Sequence, residues 1–200
     1  VGSEMCIRDR PAFLARYPDL ELYVSEGDRY VDLIREGVDC ALRAGQPTES
    51  DLIARRLALM PEGTFASPAY LARHGTPQSW DKLTGHKMVG FRSSATGGIL
   101  PLEFRVGKAV KHVALPCVLS VNGAESYKEA ALQGLGMIQV PHYGVEAELR
   151  DGRLVEVLAH TPPTPLPLYV LYPRNRQLSL RVRVFIDWVA GEYARHLPAR

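Results

Sequence analysis

The stretch "NGAESYKEAALQGLGMIQVP", Asn122–Pro141, decides the fold. It sets a helix start, a helix, a glycine stop and an apolar strand in one run. Asn122 is a preferred N-cap residue, and Glu125 stands three positions on, as in a capping box. Tyr127, Ala130, Ala131 and Leu135 recur at helical spacing. Gly134 and Gly136 mark the stop. Met137–Val140 then reads as a short buried strand closed by Pro141. The preceding "VALPCVLSVN" supplies another strand, so this is the helix-to-strand half of a βαβ unit. No phosphate-binding glycine loop opens the helix, which points away from a nucleotide.

The rest of the chain sets bounds. Two hundred residues suffice for one large domain or two small lobes, each with its own core. Hydrophobic residues at 46% and charged residues at 23% match an ordinary globular protein. A net charge of +2 argues by itself for neither nucleic acid nor a membrane surface. No apolar run approaches transmembrane length. The three cysteines, Cys6, Cys40 and Cys117, are widely spaced and form no metal or redox motif. Cys40 and Cys117 lie in apolar runs and read as buried free thiols, which suits a reducing, cytoplasmic setting. Residues 1–10, "VGSEMCIRDR", have no signal-peptide layout and no strand or helix pattern. They resemble translated sequencing-adapter sequence and read as foreign to the fold, or disordered. The fold proper then opens in "PAFLARYPDL", with Phe13, Leu14 and Tyr17 on a helical face ended by Pro18, and so looks truncated.

Strands are expected in "LELYVSE", "VDCALRAG", "LIARRLALM", "GTFASP", "KMVGFRS", "LPLEFRVG", "VALPCVLSVN", "LVEVL" and "PLYVLYP". Helices are expected in "RYVDLIREG", "PAYLARHG" (entered through Ser67-Pro68), "VEAELRDG" and a closing span from about Ser179 to Arg195. That last helix carries Val182, Phe185, Ile186, Val189 and Tyr193 on one face. Arg181, Arg183, Asp187 and Glu192 lie on the other. "TPPTPLP" is a semi-rigid connector. Alternating strands and helices imply α/β architecture with two mostly parallel sheets flanked by helices. They fall into lobe I, residues 11–86 plus 167–200, and lobe II, residues 87–166, joined by two crossing strands with a cleft between.

"PAFLARYPDLELYVSEGDRYVDLIREGVDCALRAG", the later "SPAYLARHG", "ALQGLGMIQVPHYGVEAELRDGRLVEVL" and "LYVLYPRNRQLSLRVRVFIDWV" together resemble the effector-binding domain of LysR-type transcriptional regulators. The resemblance spans residues 11–197. It implies a two-lobed type II periplasmic-binding-protein fold whose cleft takes a small inducer or co-repressor, and a homodimer or tetramer. It also implies that DNA is contacted only through an N-terminal winged helix-turn-helix domain missing from this chain. The family's first strand and the loop after it are missing too, so unpaired edges and self-association are expected. Lobe I helices and edges pair side by side in this family, which makes Val31 and Ile34 dimer-interface candidates. Both could instead face the lobe core.

Ligands of open α/β sheets sit beyond the carboxyl ends of strands. Those ends carry Arg43, Ala44 and Gly45, then Phe91, Ser93 and Ser94, then Asn122 and Gly123, then His142 and Tyr143. A helix N-terminus at Asn122 would offer free N–H groups to a carboxylate, while Glu125 opposes a second anion there. Each candidate also has a structural alternative. Asn122 serves as a plain cap, Ser93 and Ser94 as turn residues, Arg43 as half of a surface ion pair, and His142 as a cap for the next helix. Phe91 and Tyr143 could flank an apolar or aromatic body. The expected ligand is a small carboxylate-bearing metabolite.

No catalytic residue, metal ligand or cofactor is assigned. The six histidines show no ligand spacing, and neither a G-x-S-x-G elbow nor a Cys-His signature is present. Asp28 and Asp39 need no role beyond solvated charge and helix starts. An effector-sensing domain is thus preferred to a free-standing solute-binding protein of the same fold, which would need a secretory signal. It is preferred also to an α/β enzyme, and no membrane partner is expected.

Overall fold

The computed structural model describes residues 11–25, 32–47, 51–94, 96–174 and 178–196. The chain runs through α1 (residues 11–16), β1 (Ala41–Ala44), β2 (Leu52–Met60), β3 (Glu62–Ala66), α2 (Pro68–His74), β4 (Gly90–Arg92) and β5 (Ile99–Leu100). It continues through β6 (Leu102–Val106), β7 (Ala109–Val113), β8 (Ser120–Val121), α3 (Ala124–Leu132), β9 (Ile138–Pro141), α4 (Glu146–Arg150), β10 (Val155–Val157), β11 (Leu166–Pro173) and α5 (Leu180–His196). A 3-10 turn, His142–Val145, joins β9 to α4. Two compact units result, one of Val1–Met60 with Leu166–Arg200, the other of Pro61–Pro165. The boundary expected at His86/Lys87 therefore falls at Met60/Pro61. The reason is β3, which pairs with β9 and β10 and so carries residues 61–86 into the second unit. Residues 1–10, read as foreign or disordered, lie outside the described residues, as do Asp28 and Val31.

In the first unit β11 lies between β1 and β2 and is antiparallel to both. The chain leaves this unit along β2 and returns along β11, so the two must run in opposite directions. α5 covers the sheet, as its apolar stripe dictates. Val182 and Ile186 pack with Val170, Cys40, Leu42 and Leu57. Burying each such side chain is worth about 1.5–3 kcal/mol. Phe13 is fully buried, with ring centroids 5.0 Å from Tyr17, 5.4 Å from Phe185 and 4.8 Å from Trp188. Four expectations are corrected here. Leu14 is exposed. Glu192, placed on the polar side of α5, is buried and pairs with Arg195. Residues 20–25 form no strand: Tyr23, Val24 and Ser25 are all exposed, and none of the described strands pairs with the segment. Residues 32–37 form a turn closed by the Glu36 amide on the Asp32 carbonyl at 2.9 Å, not a helix. The Asp32 side chain accepts from the Ile34 and Arg35 amides, as a cap would, but the Gly37 and Val38 amides close back on the Ile34 and Leu33 carbonyls with Gly37 at φ 67°, which ends the coil after one turn.

The second unit holds an antiparallel sheet β10-β3-β9, a sheet β5-β4-β8 and the hairpin β6-β7. β4 and β8 run parallel, with Phe91 opposite Val121, and an isolated parallel bridge joins Met88 to Met137. All other pairings among the described strands are antiparallel, so the expectation of mostly parallel sheets is corrected. Short hairpin connections account for β4–β5 and β6–β7, since parallel pairing needs a longer crossover; β11 with β1 and β2, and β3 with β9 and β10, pair strands distant in sequence. "VALPCVLSVN" is not one strand. β7 ends at Val113, and β8 begins only at Ser120. Gly107, at φ 62°, turns the β6-β7 hairpin. α3 buries Tyr127, Ala130 and Ala131 against Phe65, Val89, Ile138 and Val140. α2 starts at Ser67, whose hydroxyl accepts from the Tyr70 amide, and stops at Gly75 with φ 77°. Cys40 and Cys117 are in no disulfide and are half-buried rather than buried.

Candidate functional site

The parallel register in the second unit decides what can meet. Gly90 lies opposite Ser120, Phe91 opposite Val121, and Met88 bridges Met137 just before β9. The carboxyl ends of β4, β8 and β9 therefore point the same way. Ser93 and Ser94 follow the first, Asn122 and Gly123 the second, His142 and Tyr143 the third. Arg43 and Ala44, half-buried at the end of β1, and Gly45 belong to the first unit. There the Gly45 amide donates to the Pro167 carbonyl at 2.8 Å.

Each position has a definite local role. The N-cap of α3 is Gly123, not Asn122, and it makes no side-chain capping bond. Asn122 is exposed one residue further out. The capping box is absent because the cap is a glycine and Glu125 falls at the second helical position; its carboxylate lies 3.3 Å from Lys128 Nζ. The N-cap residue therefore offers no side-chain acceptor to the first amides of α3, and Lys128 is shared between the carboxylate of the first turn and that of Glu148, whose oxygen lies 3.8 Å from its Nζ. Ser93 closes a loop through its backbone, its amide donating to Gly98 O at 2.9 Å and its carbonyl accepting from Gly97 at 2.8 Å. The Arg92 guanidinium donates to Gly97 O at 2.7 Å. Phe91 stands edge-on to Tyr127, centroids 5.2 Å apart, so part of its ring belongs to the core. His142 begins the 3-10 turn. Its Nε2 is 3.0 Å from Glu156 Oε1, its Nδ1 is 3.2 Å from Pro61 O, and its ring meets Phe65 edge-on. Ile34 in the first unit is 54% exposed.

A polar network beside these strand ends escaped the sequence reading. Gln139 Nε2 donates to Thr64 Oγ1 at 2.9 Å and to Glu103 O at 2.7 Å, and its Oε1 accepts from the Glu103 amide at 2.7 Å. The Gln139 amide donates to the Tyr127 hydroxyl at 3.3 Å. Burial, with Glu103 nearby, pushes the Glu62 carboxyl up to about 8, and burial likewise raises the Tyr127 phenol. The signal was present in "GMIQVP", where one amide side chain interrupts a buried apolar strand and must find partners. Among the described residues no group of three or more His, Cys, Asp or Glu could hold a metal ion.

Residues 10–194 match the LysR substrate binding domain family. The chain belongs to that family. It is 42% identical over 187 residues to the HTH-type transcriptional regulator YhjC of Escherichia coli (strain K12), covering 92% of this chain and 62% of that protein. It is 33% identical over 189 residues to the HTH-type transcriptional regulator CrgA of Neisseria meningitidis serogroup B, covering 92% and 61%. The solved regulatory domain of CrgA superposes with a TM-score of 0.81 at 31% identity, covering 94% of this chain and 91% of that one. The LysR-type regulatory-domain fold, two-lobed and mixed α/β, is therefore the fold of this chain. It is the effector-sensing type of domain found in such regulators. The chain spans less than two thirds of the length of these two relatives.

Proposed function

We propose that this domain senses a small carboxylate-bearing metabolite and controls transcription through a DNA-binding segment outside the chain. The observation that carries the ligand class is the shared direction of β4, β8 and β9, which brings Ser93, Ser94, Gly123 and Tyr143 to one end of the second unit beside the uncapped start of α3. Hydroxyls and helix-start amides suit an oxyanion. Phe91, Asn122 and His142 are proposed as further contacts in the second unit; Arg43, Ala44 and Gly45, at the end of β1, are proposed as effector-binding positions of the first unit. The domain acts by binding rather than catalysis, without a cofactor, and works in the cytoplasm as a homodimer or tetramer. Ile34 is an exposed apolar candidate for the dimer contact. Among the described residues no helix is long and apolar enough to cross a membrane.

A thermal-shift screen tests the ligand class. An organic acid at about 100 times its Kd stabilises by roughly 2.7 kcal/mol, which raises Tm by about 5–10 °C for a chain of this size. Stabilisation by neutral sugars or amines, with no response to any organic acid, would sink the carboxylate reading.

A further inference from the structure

Four prolines stand where the chain passes between the units, Pro61 outward and Pro162, Pro163 and Pro165 on return. Proline has no N–H and cannot donate to a ladder. On the first unit's side the crossing strands are paired to their ends, with Met60 opposite Leu166 and Leu59 opposite Pro167. On the second unit's side the return segment 158–165 is in no strand. Hydrogen bonds from β6 hold it instead. The Thr164 amide donates to Glu103 Oε1 at 2.7 Å, and the Arg105 amide donates to Pro162 O at 3.1 Å. The outward crossing is held by the His142 amide on Pro61 O at 3.0 Å.

Glu103 is itself held in place. The Gln139 amide group pairs with both the N–H and the C=O of Glu103, much as a neighbouring strand would. Gln139 in turn is tied through its own N–H to the Tyr127 hydroxyl of α3. The run Tyr127–Gln139–Glu103–Thr164 is therefore an unbroken series of hydrogen bonds from α3 to the residue two positions before β11. We propose that Gln139 and Glu103 are positioning residues that fasten α3 to the return crossing, so that a change at the start of α3 is delivered to β11. The link to an effector rests on the function proposed above, whereas the fastening of Thr164 does not.

Amide exchange and 15N relaxation on the 200-residue chain, without ligand, test the fastening. Glu103→Ala removes the acceptor for Thr164 but leaves the Glu103 backbone that pairs with Gln139. Glu103→Gln keeps an oxygen acceptor. Thr164 exchange is expected to quicken by about tenfold or more in Glu103→Ala and to return to within about threefold in Glu103→Gln. The Thr164 order parameter should fall from about 0.85 to below about 0.6 in the alanine variant, with Phe65 and Ile138 exchange unchanged. Gln139→Leu, which touches no atom of the crossing, should also quicken Thr164. Unchanged Thr164 exchange in Glu103→Ala overturns the proposal, as does an equal acceleration at Phe65 and Ile138. No ligand enters the experiment, so a failed effector screen leaves its outcome standing.

Discussion

Burial and the nearby Glu103 push the Glu62 carboxyl from its ordinary 4.5 up to about 8. The folded chain then keeps a proton that the unfolded chain has released. The stability tied to Glu62 is fully present below pH 4.5 and is lost as pH rises through about 8. Across that window the slope is at most about 1.4 kcal/mol per pH unit. Urea midpoints measured from pH 5 to 8 should fall with pH, and Glu62→Gln should flatten that fall. Identical pH dependence in both proteins would contradict the assignment. Gly136 makes a steric case at the same scale. An added Cβ would lie 2.5 Å from the Met88 carbonyl carbon and 2.7 Å from the Val89 amide nitrogen. Both atoms are backbone, and the Met137 amide beside them donates to Lys87 O at 2.9 Å, so neither can give way cheaply. Gly136→Ala should cost about 1–3 kcal/mol by denaturant unfolding, whereas Gly191→Ala, with open space around it, should be neutral or stabilising.

Elements with a long, one-faced pattern were legible. The stripe Val182, Ile186, Val189 and Tyr193 marks α5, and all four are buried. Ser67-Pro68 marks the start of α2. Ser67→Ala removes the acceptor for the Tyr70 amide and should cost about 1 kcal/mol, read as a fall in Tm of about 2–4 °C; no change would show that Pro68 alone sets the start. Pairing was less legible, because strand direction depends on partners distant in sequence. β11 sits between β1 and β2 only because the chain goes out and returns, and no local pattern states that. Short elements failed for a related reason. "RYVDLIREG" has helical spacing, yet its described part, from Asp32 on, makes one turn and is stopped at Gly37. The strand ends of the candidate site could be read from glycine and proline punctuation. The Gln139–Glu103 pairing could not, since it joins residues 36 apart.

At the scale of the whole molecule, the central claim is that this LysR-type domain takes a carboxylate ligand where β4, β8 and β9 end beside α3. Family membership alone does not choose the ligand class; the proposal of a carboxylate rests on the start of α3, which has no side-chain cap, and on the hydroxyl-bearing residues that follow the same strand ends. The most direct measurement is a two-dimensional NMR titration of the labelled chain with a panel of small organic acids. At least one acid is expected to shift the amides of Ser93, Gly123 and Tyr143 together and saturably, with Thr164 following. Shifts confined to other surfaces, or a neutral sugar moving those amides while every acid leaves them still, would contradict the account.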